Sequence, residues 1–162
     1  MVSDADHAAL KAQLGRPARG VVEVAHRCSC GQPDVVKTAP RLDDGTPFPT
    51  VYYLTCPRAA GAIGTLESSG LMREMTEALE QDPDLAASYA QAHENYLEVR
   101  EAIEHVEEIA GISAGGMPTR VKCLHVLIAH SLAAGPGVNP LGDQALALLD
   151  DWGKSGKCGD CS

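Results

Sequence analysis

Four cysteines occupy positions in this sequence where their thiols could hold a metal. Cys28 and Cys30 flank a single serine, Cys56 precedes a proline, and Cys123 follows a short basic stretch. Cysteine thiolates bind zinc, commonly in sets of four ligands, and they also hold iron–sulfur clusters. We therefore predict a metal site formed by Cys28, Cys30, Cys56 and Cys123, with zinc favoured and an iron–sulfur cluster as the alternative.

Three other residues compete for the fourth ligand position. His26 is close in sequence to Cys28, and Cys158 and Cys161 form a Cys-x-x-Cys motif at the end of the sequence. That spacing suits a metal or a redox pair, although a glycine-rich terminal segment is commonly mobile. We expect residues 157–162 to form a mobile tail, whose two cysteines are the main alternative for completing an all-cysteine site with Cys28 and Cys30.

The alternation of apolar and polar side chains predicts a sheet, and this sheet would bring the cysteines together. Residues 21–27, 35–42 and 50–55 are β-rich and are separated by turn-forming segments, which predicts a three-stranded meander. In a meander the third strand ends where the second begins. Cys56, directly after the third strand, should therefore lie beside the turn that carries Cys28 and Cys30.

A second group of residues favours thiol chemistry instead of metal binding. We expect a helix from Thr119 onward, with Cys123 in its first turn and His125 and His130 further along. Residues two apart on a regular helix point about 200° away from each other, and residues seven apart are separated by roughly 10 Å, so neither His125 nor His130 should share one metal ion with Cys123. In an enzyme, Cys123 would be the nucleophile and His125 or His130 the acid or base.

The glycine-rich segment before this helix predicts an anion site. Backbone N–H groups at a helix start attract phosphates and carboxylates, and two basic side chains follow the glycines. The alternative is a plain loop that leads into a capped helix. The predicted anionic small molecule would contact Gly115, Gly116, Thr119, Arg120 and Lys122.

The most regular helical pattern begins at Asp82-Pro83 and continues to Val106. Its apolar residues recur at alternating spacings of four and three, and glutamates occupy the other face. We interpret the acidic face as solvated. The alternative is an adaptor in which the helix of residues 84–106 docks a protein partner or a second copy of the chain.

Composition excludes several classes of protein. The 162 residues include 22 acidic and 13 basic ones, for a net charge of −9, which argues against non-specific binding to nucleic acids or anionic membranes. The sequence contains no membrane-spanning apolar stretch and no signal-peptide pattern. We therefore expect a cytoplasmic protein with reduced thiols.

Together these patterns predict one α+β domain over residues 1–156. Its small three-stranded antiparallel sheet near the N-terminus should be followed by a bundle of about four to five helices. The sequence resembles the bacterial domain-of-unknown-function family 501, a likeness that implies no activity. The segments that carry it are CSCG at 28–31, TAPR at 38–41, DGTPFPT at 44–50, YYLT at 52–55, GISAGGMP at 111–118, RVKCLH at 120–125 and GPGVNPLG at 135–142.

Overall fold

A computed structural model describes residues 2–149 as a three-stranded sheet combined with helices. The predicted α+β class is confirmed, with five α-helices after the sheet in this part of the chain. None of its helices combines the length and apolar character needed to cross a membrane. The elements are α1 (Asp4–Leu14), β1 (Val21–Arg27), β2 (Pro33–Thr38), β3 (Tyr52–Leu54), α2 (Pro57–Glu67), α3 (Leu71–Gln81), α4 (Pro83–Ile103), a single 3-10 turn (Glu107–Ile109), α5 (Leu124–Ala134) and α6 (Pro140–Leu148).

The sheet is the predicted antiparallel meander, with strand order β1-β2-β3. Val35 of β2 faces Leu54 of β3, so the end of β3 lies at the beginning of β2. Both strands are shorter than predicted. Proline cannot donate to a strand ladder, and Pro40, Pro47 and Pro49 border the segments that drop out of the sheet.

The apolar face of the long helix α4, here called its seam, packs against the core of this chain. Tyr89, Ala92 and Tyr96 are buried in the core, and Arg100 among them donates hydrogen bonds to backbone carbonyls. Asp82 caps the helix by accepting from two backbone N–H groups. Docking of a partner or a second copy through residues 84–106 stays a prediction, and the buried part of the seam already contacts the protein's own core.

The start of α5 differs from the sequence-based prediction. Residues before Leu124 form a compact turn in which Arg120 N–H donates to Gly116 and Lys122 N–H donates to Gly115. These bonds hold the chain out of helical geometry, and Cys123 is the extended N-cap residue with φ −151° and ψ 111°. The prediction of a helix from Thr119, with Cys123 inside its first turn, was wrong.

Candidate metal centre

Glu67, Cys123 and His125 converge at one point beside the start of α5. One ligand atom from each, a carboxylate oxygen, a thiol sulfur and an imidazole nitrogen, lies within 4.8 Å of the other two. All three side chains are partly buried. Among the described residues, no other three His, Cys, Asp or Glu side chains meet this closely.

The ends of two helices set this geometry. Glu67 is the last residue of α2, and its Oε2 accepts a hydrogen bond from the backbone N–H of Leu124 at 2.8 Å. Cys123 occupies the N-cap position but forms no side-chain cap. Glu67 therefore takes over the capping of α5 from another helix, and the Cys123 thiol stays available for chemistry.

Hydrogen bonds fix the His125 ring at both nitrogens. Nδ1 lies 3.1 Å from Glu67 Oε2, and Nε2 lies 3.3 Å from the backbone oxygen of Ala60. A hydrogen bond with Cys123 and, after it, the Glu67 carboxylate raise the pKa of His125 to about 9, against the opposing effect of burial. The metal-free ring is therefore an imidazolium at neutral pH, and it donates through both nitrogens.

The approach of Cys123 to His125 corrects the expectation that these two residues cannot share a metal. That expectation assumed a regular helix through both positions, where their side chains diverge. Because Cys123 is extended and His125 is helical, the change of backbone direction between them turns both side chains toward Glu67.

A cavity of about 450 Å³ adjoins this group of residues. Cys123 and His125 form part of its wall. None of the described residues that line it carries a lysine, arginine, aspartate or glutamate side chain. The remaining walls are formed by Gln13, Leu14, Thr50, Tyr52, Tyr53, Leu54, Thr55, Pro57, Ala60 and Val126.

The other predicted cysteines lie at the predicted end of the sheet, away from Glu67. Cys56 is the buried N-cap residue of α2, next in the chain after Thr55, whose N–H donates to β2. Desolvation by burial raises the pKa of the Cys56 thiol, and the nearby Cys30 adds to this effect. The predicted juxtaposition of Cys56 with the turn between β1 and β2 is therefore observed.

Cys123 is grouped with Glu67 and His125 and not with these cysteines. Cys28 is disulfide-bonded, whereas Cys123 is not. The expectation of reduced thiols was wrong for Cys28. That expectation was based on the missing export signal, which does not determine which cysteines lie close enough to form a disulfide. The four-cysteine site stays a prediction, and its alternates Cys158 and Cys161, like the whole of the proposed tail at 157–162, lie outside the described residues.

His26, the alternate ligand at the sheet end, pairs with a buried carboxylate. Its Nδ1 lies 2.8 Å from Asp34 Oδ1, and the Asp34 side chain is fully buried. The second oxygen, Oδ2, has no hydrogen-bond partner within residues 2–149. His26 is thus held by Asp34 while its ring stays about one-third exposed.

His130 is a core residue with a complete set of neighbours. Its Nε2 lies 2.8 Å from Asn95 Oδ1, its Nδ1 lies 3.2 Å from Asn139 Nδ2, and its ring stacks on Tyr52. Burial lowers the pKa of His130 to about 4, so the ring is neutral at pH 7. His130 is fully buried and does not line the cavity at Cys123, so the structure does not place it where an acid or base for Cys123 would lie.

The glycine-rich segment is folded on itself. Besides the two turn bonds at Gly115 and Gly116, the N–H of Val121 donates to Thr76 Oγ1 at 3.1 Å. The side chains of Arg120 and Lys122 are exposed. Binding of an anion here, with the predicted contact to Thr119, stays a prediction, and three of the nearby amides are already engaged within the protein.

Glu67 was the residue that the sequence-based reasoning missed. It lies far from Cys123 in the sequence and belongs to a different helix. One signal in the sequence could have indicated a special role for Glu67. An acidic residue at the C-terminal end of a helix is disfavoured by the helix dipole, so it usually has another partner. Its tertiary partners, the Leu124 N–H and His125, explain why it is there.

Comparison with known proteins gives a family but no activity. A family model described as "Protein of unknown function (DUF501)" matches residues 24–147, which include all three residues of the candidate metal centre. No curated protein and no solved structure matches the chain.

Proposed function

Since the chain belongs to the DUF501 family, whose description names no activity, we propose from its geometry that it is a zinc-binding protein with Glu67, Cys123 and His125 as ligands. The observation that carries this proposal is the convergence of three different donor atoms within 4.8 Å. It replaces three of the four predicted cysteine ligands and keeps Cys123.

The donor set suits zinc better than the other metals considered. Zinc accepts thiolate, imidazole and carboxylate in one site, whereas iron–sulfur clusters are held mainly by thiolates. Magnesium and calcium prefer oxygen ligands only. One sulfur, one nitrogen and one oxygen therefore favour zinc over the iron–sulfur alternative.

The surroundings of His125 support the same assignment. A metal-binding histidine usually donates its other ring N–H to a carbonyl or carboxylate, which fixes the ring. Nε2 faces the backbone oxygen of Ala60 at 3.3 Å, and Nδ1 is on the side of Glu67. Zinc would take the place of the proton that Nδ1 carries in the metal-free protein.

Three protein ligands beside a cavity are typical of a catalytic zinc site. Structural zinc sites are usually closed by four protein ligands, while catalytic ones leave a position for water or substrate. Zinc in such a site supplies Lewis-acid chemistry and activates water for hydrolysis. We therefore propose a hydrolytic reaction class for this site, and we propose the cytoplasm as its location.

Metal analysis of matched variants tests the proposal. The untagged protein, purified without added metal or oxygen, should contain about one zinc per chain, as the three-ligand site requires. Cys123→Ser and His125→Asn should each lose at least nine-tenths of it. Cys30→Ser is the matched control, because it changes a thiol outside the proposed site and should keep its zinc.

Two results would contradict the proposal. One is zinc that survives Cys123→Ser and is lost in Cys30→Ser, which would return the site to the sheet-end cysteines. The other is folded wild-type protein that takes up no zinc from a buffered excess.

A second candidate function is a thiol enzyme with Cys123 as nucleophile. The observation that favours it is the hydrogen bond between Cys123 and His125, because an imidazolium ring that is oriented by Glu67 would stabilise the Cys123 thiolate. Metal-free protein whose Cys123 reacts with iodoacetamide at least tenfold faster than that of His125→Asn would support this reading. Full zinc occupancy that blocks the reaction would support the metal site instead.

A further inference from the structure

The free edge of β3 presents backbone groups that are not used by the sheet. The N–H of Thr55 donates to Asp34, and the C=O of Val51 accepts from Thr38, each at 2.8 Å. Bonded pairs alternate along an antiparallel ladder, so every second residue of β3 directs its N–H and C=O away from β2. Leu54 is one of these residues.

Leu54 lines the cavity that also contains Cys123 and His125. The other outward-facing residue, Tyr52, is buried, and the N–H of the preceding Val51 donates to the Tyr96 hydroxyl at 3.0 Å. Within residues 2–149, no further strand pairs with β3 at the Leu54 end, which is the end closer to α2 and its residue Ala60.

We propose that an extended peptide segment binds in this cavity by adding a strand beside β3, with Leu54 as its main-chain partner. The proposal deepens the proposed function by naming the ligand class of the same site. The peptide proposal rests on the proposed zinc-binding function only in one respect, which is that the zinc would act on the bound peptide. Strand addition to an exposed sheet edge is a general mode of peptide recognition, in which main-chain hydrogen bonds supply affinity.

Outside the candidate metal centre, the cavity walls favour an uncharged ligand of this kind. Apart from Cys123 and His125, they consist of apolar side chains and neutral polar ones, and the described lining residues offer no lysine or arginine to an anion. Gln13 belongs to the same wall, and its buried Oε1 accepts no hydrogen bond within residues 2–149. A peptide N–H would satisfy this oxygen, because unsatisfied buried acceptors are costly.

The volume is also compatible with a short peptide. Ligand cavities commonly enclose about 300–1,000 Å³, and this one measures about 450 Å³. A segment of a few residues fills such a space, with the rest of the peptide outside it. A residue of the bound strand would then lie close to the Glu67, Cys123 and His125 group.

Two matched peptides provide the test. The first is a fluorescently labelled, end-blocked pentapeptide of alternating valine and threonine, and the second is the same peptide with every internal amide N-methylated. Both present similar side chains, but only the first can donate main-chain hydrogen bonds. We expect the N-methylated peptide to bind at least tenfold more weakly by fluorescence anisotropy. Addition of the first peptide should shift the Leu54 amide signal in an NMR spectrum.

Two variants at Leu54 provide a second test of the peptide proposal. Leu54→Pro removes the outward N–H without removing a bond to β2, and proline is tolerated where a strand N–H faces away from the sheet. We expect it to weaken peptide binding at least tenfold, while the matched variant Leu54→Val stays within twofold of wild type. If Leu54→Pro does not fold, the comparison of the two peptides on wild-type protein decides the question.

Equal binding of the two peptides, or no binding of either to folded protein, would overturn the strand-addition proposal. Zinc content is measured in the same samples, so that a failure of the peptide proposal can be distinguished from a failure of the zinc proposal. Zinc-loaded protein that binds neither peptide contradicts only the peptide inference. Protein that binds the first peptide but holds no zinc contradicts only the metal assignment.

Discussion

Nδ1 of His125 lies 3.1 Å from Oε2 of Glu67, although 58 positions separate the two residues in the sequence. The same oxygen accepts the first backbone N–H of α5 from Leu124. One carboxylate thus fixes both the start of the helix and the orientation of the ring beside Cys123. This arrangement places the candidate metal centre on helix ends and not on a long loop.

The pH dependence of the zinc-free protein should reveal the charged state of His125. Its folded-state pKa of about 9 lies above the ordinary value of 6.5, so its protonated form stabilises the fold. That contribution is fully present below pH 6.5 and is lost as the pH rises through 9. We expect the free energy of unfolding, measured with urea, to fall between pH 6.5 and 9.

His125→Asn should flatten this part of the pH profile because it removes the titrating ring. The exposed His7 offers the control, and His7→Asn should leave the decline in place. A wild-type profile that rises between pH 6.5 and 9 would contradict the assigned hydrogen bonds.

His130 should produce the opposite dependence at lower pH. Burial depresses its folded-state pKa to about 4, so the unfolded chain binds a proton at a pH where the folded protein does not. Stability is therefore lost as the pH falls from 6.5 toward 4, by up to roughly 3 kcal/mol at 1.36 kcal/mol per pKa unit. Urea denaturation at pH 7 and pH 5 measures the difference.

An NMR titration identifies the responsible ring. The His130 signals should stay those of a neutral imidazole down to at least pH 5. Protonation of His130 near pH 6.5 in the folded state would contradict its buried contacts with Asn95 and Asn139.

The sequence predicted the sheet end better than the metal centre. Alternation and turn chemistry are local signals, and antiparallel connectivity then required Cys56 to lie beside the turn that carries Cys28 and Cys30. The start of α5 was not predictable in the same way. Non-local bonds, such as that from Val121 to Thr76, help to hold the residues before Cys123 out of the helix.

Substitution of two glycines tests how closely α6 packs against α5. A Cβ at Gly142 would meet the backbone oxygen of Leu127 and the hydroxyl of Ser131, both on α5, whereas a Cβ at Gly61 would meet nothing within 4 Å. We expect Gly142→Ala to destabilise the fold by about 1–3 kcal/mol or more through overpacking. Gly61→Ala should instead stabilise it by about 0.5–1 kcal/mol through helix propensity.

Thermal and urea denaturation of the two variants check this pair. Equal effects of the two substitutions would contradict the close contact between α5 and α6. The contrast bears on the metal centre, because α5 supplies both His125 and the helix start at Cys123.

The atoms that coordinate zinc in the purified protein distinguish the Glu67, Cys123 and His125 site from a site formed by the sheet-end cysteines. X-ray absorption at the zinc edge should show one sulfur at about 2.3 Å and two or three nitrogen or oxygen atoms at about 2.0–2.2 Å. That pattern corresponds to Cys123 together with His125, Glu67 and an open position. A first shell of three or four sulfur atoms would contradict this account and assign the metal to the cysteines at the sheet end.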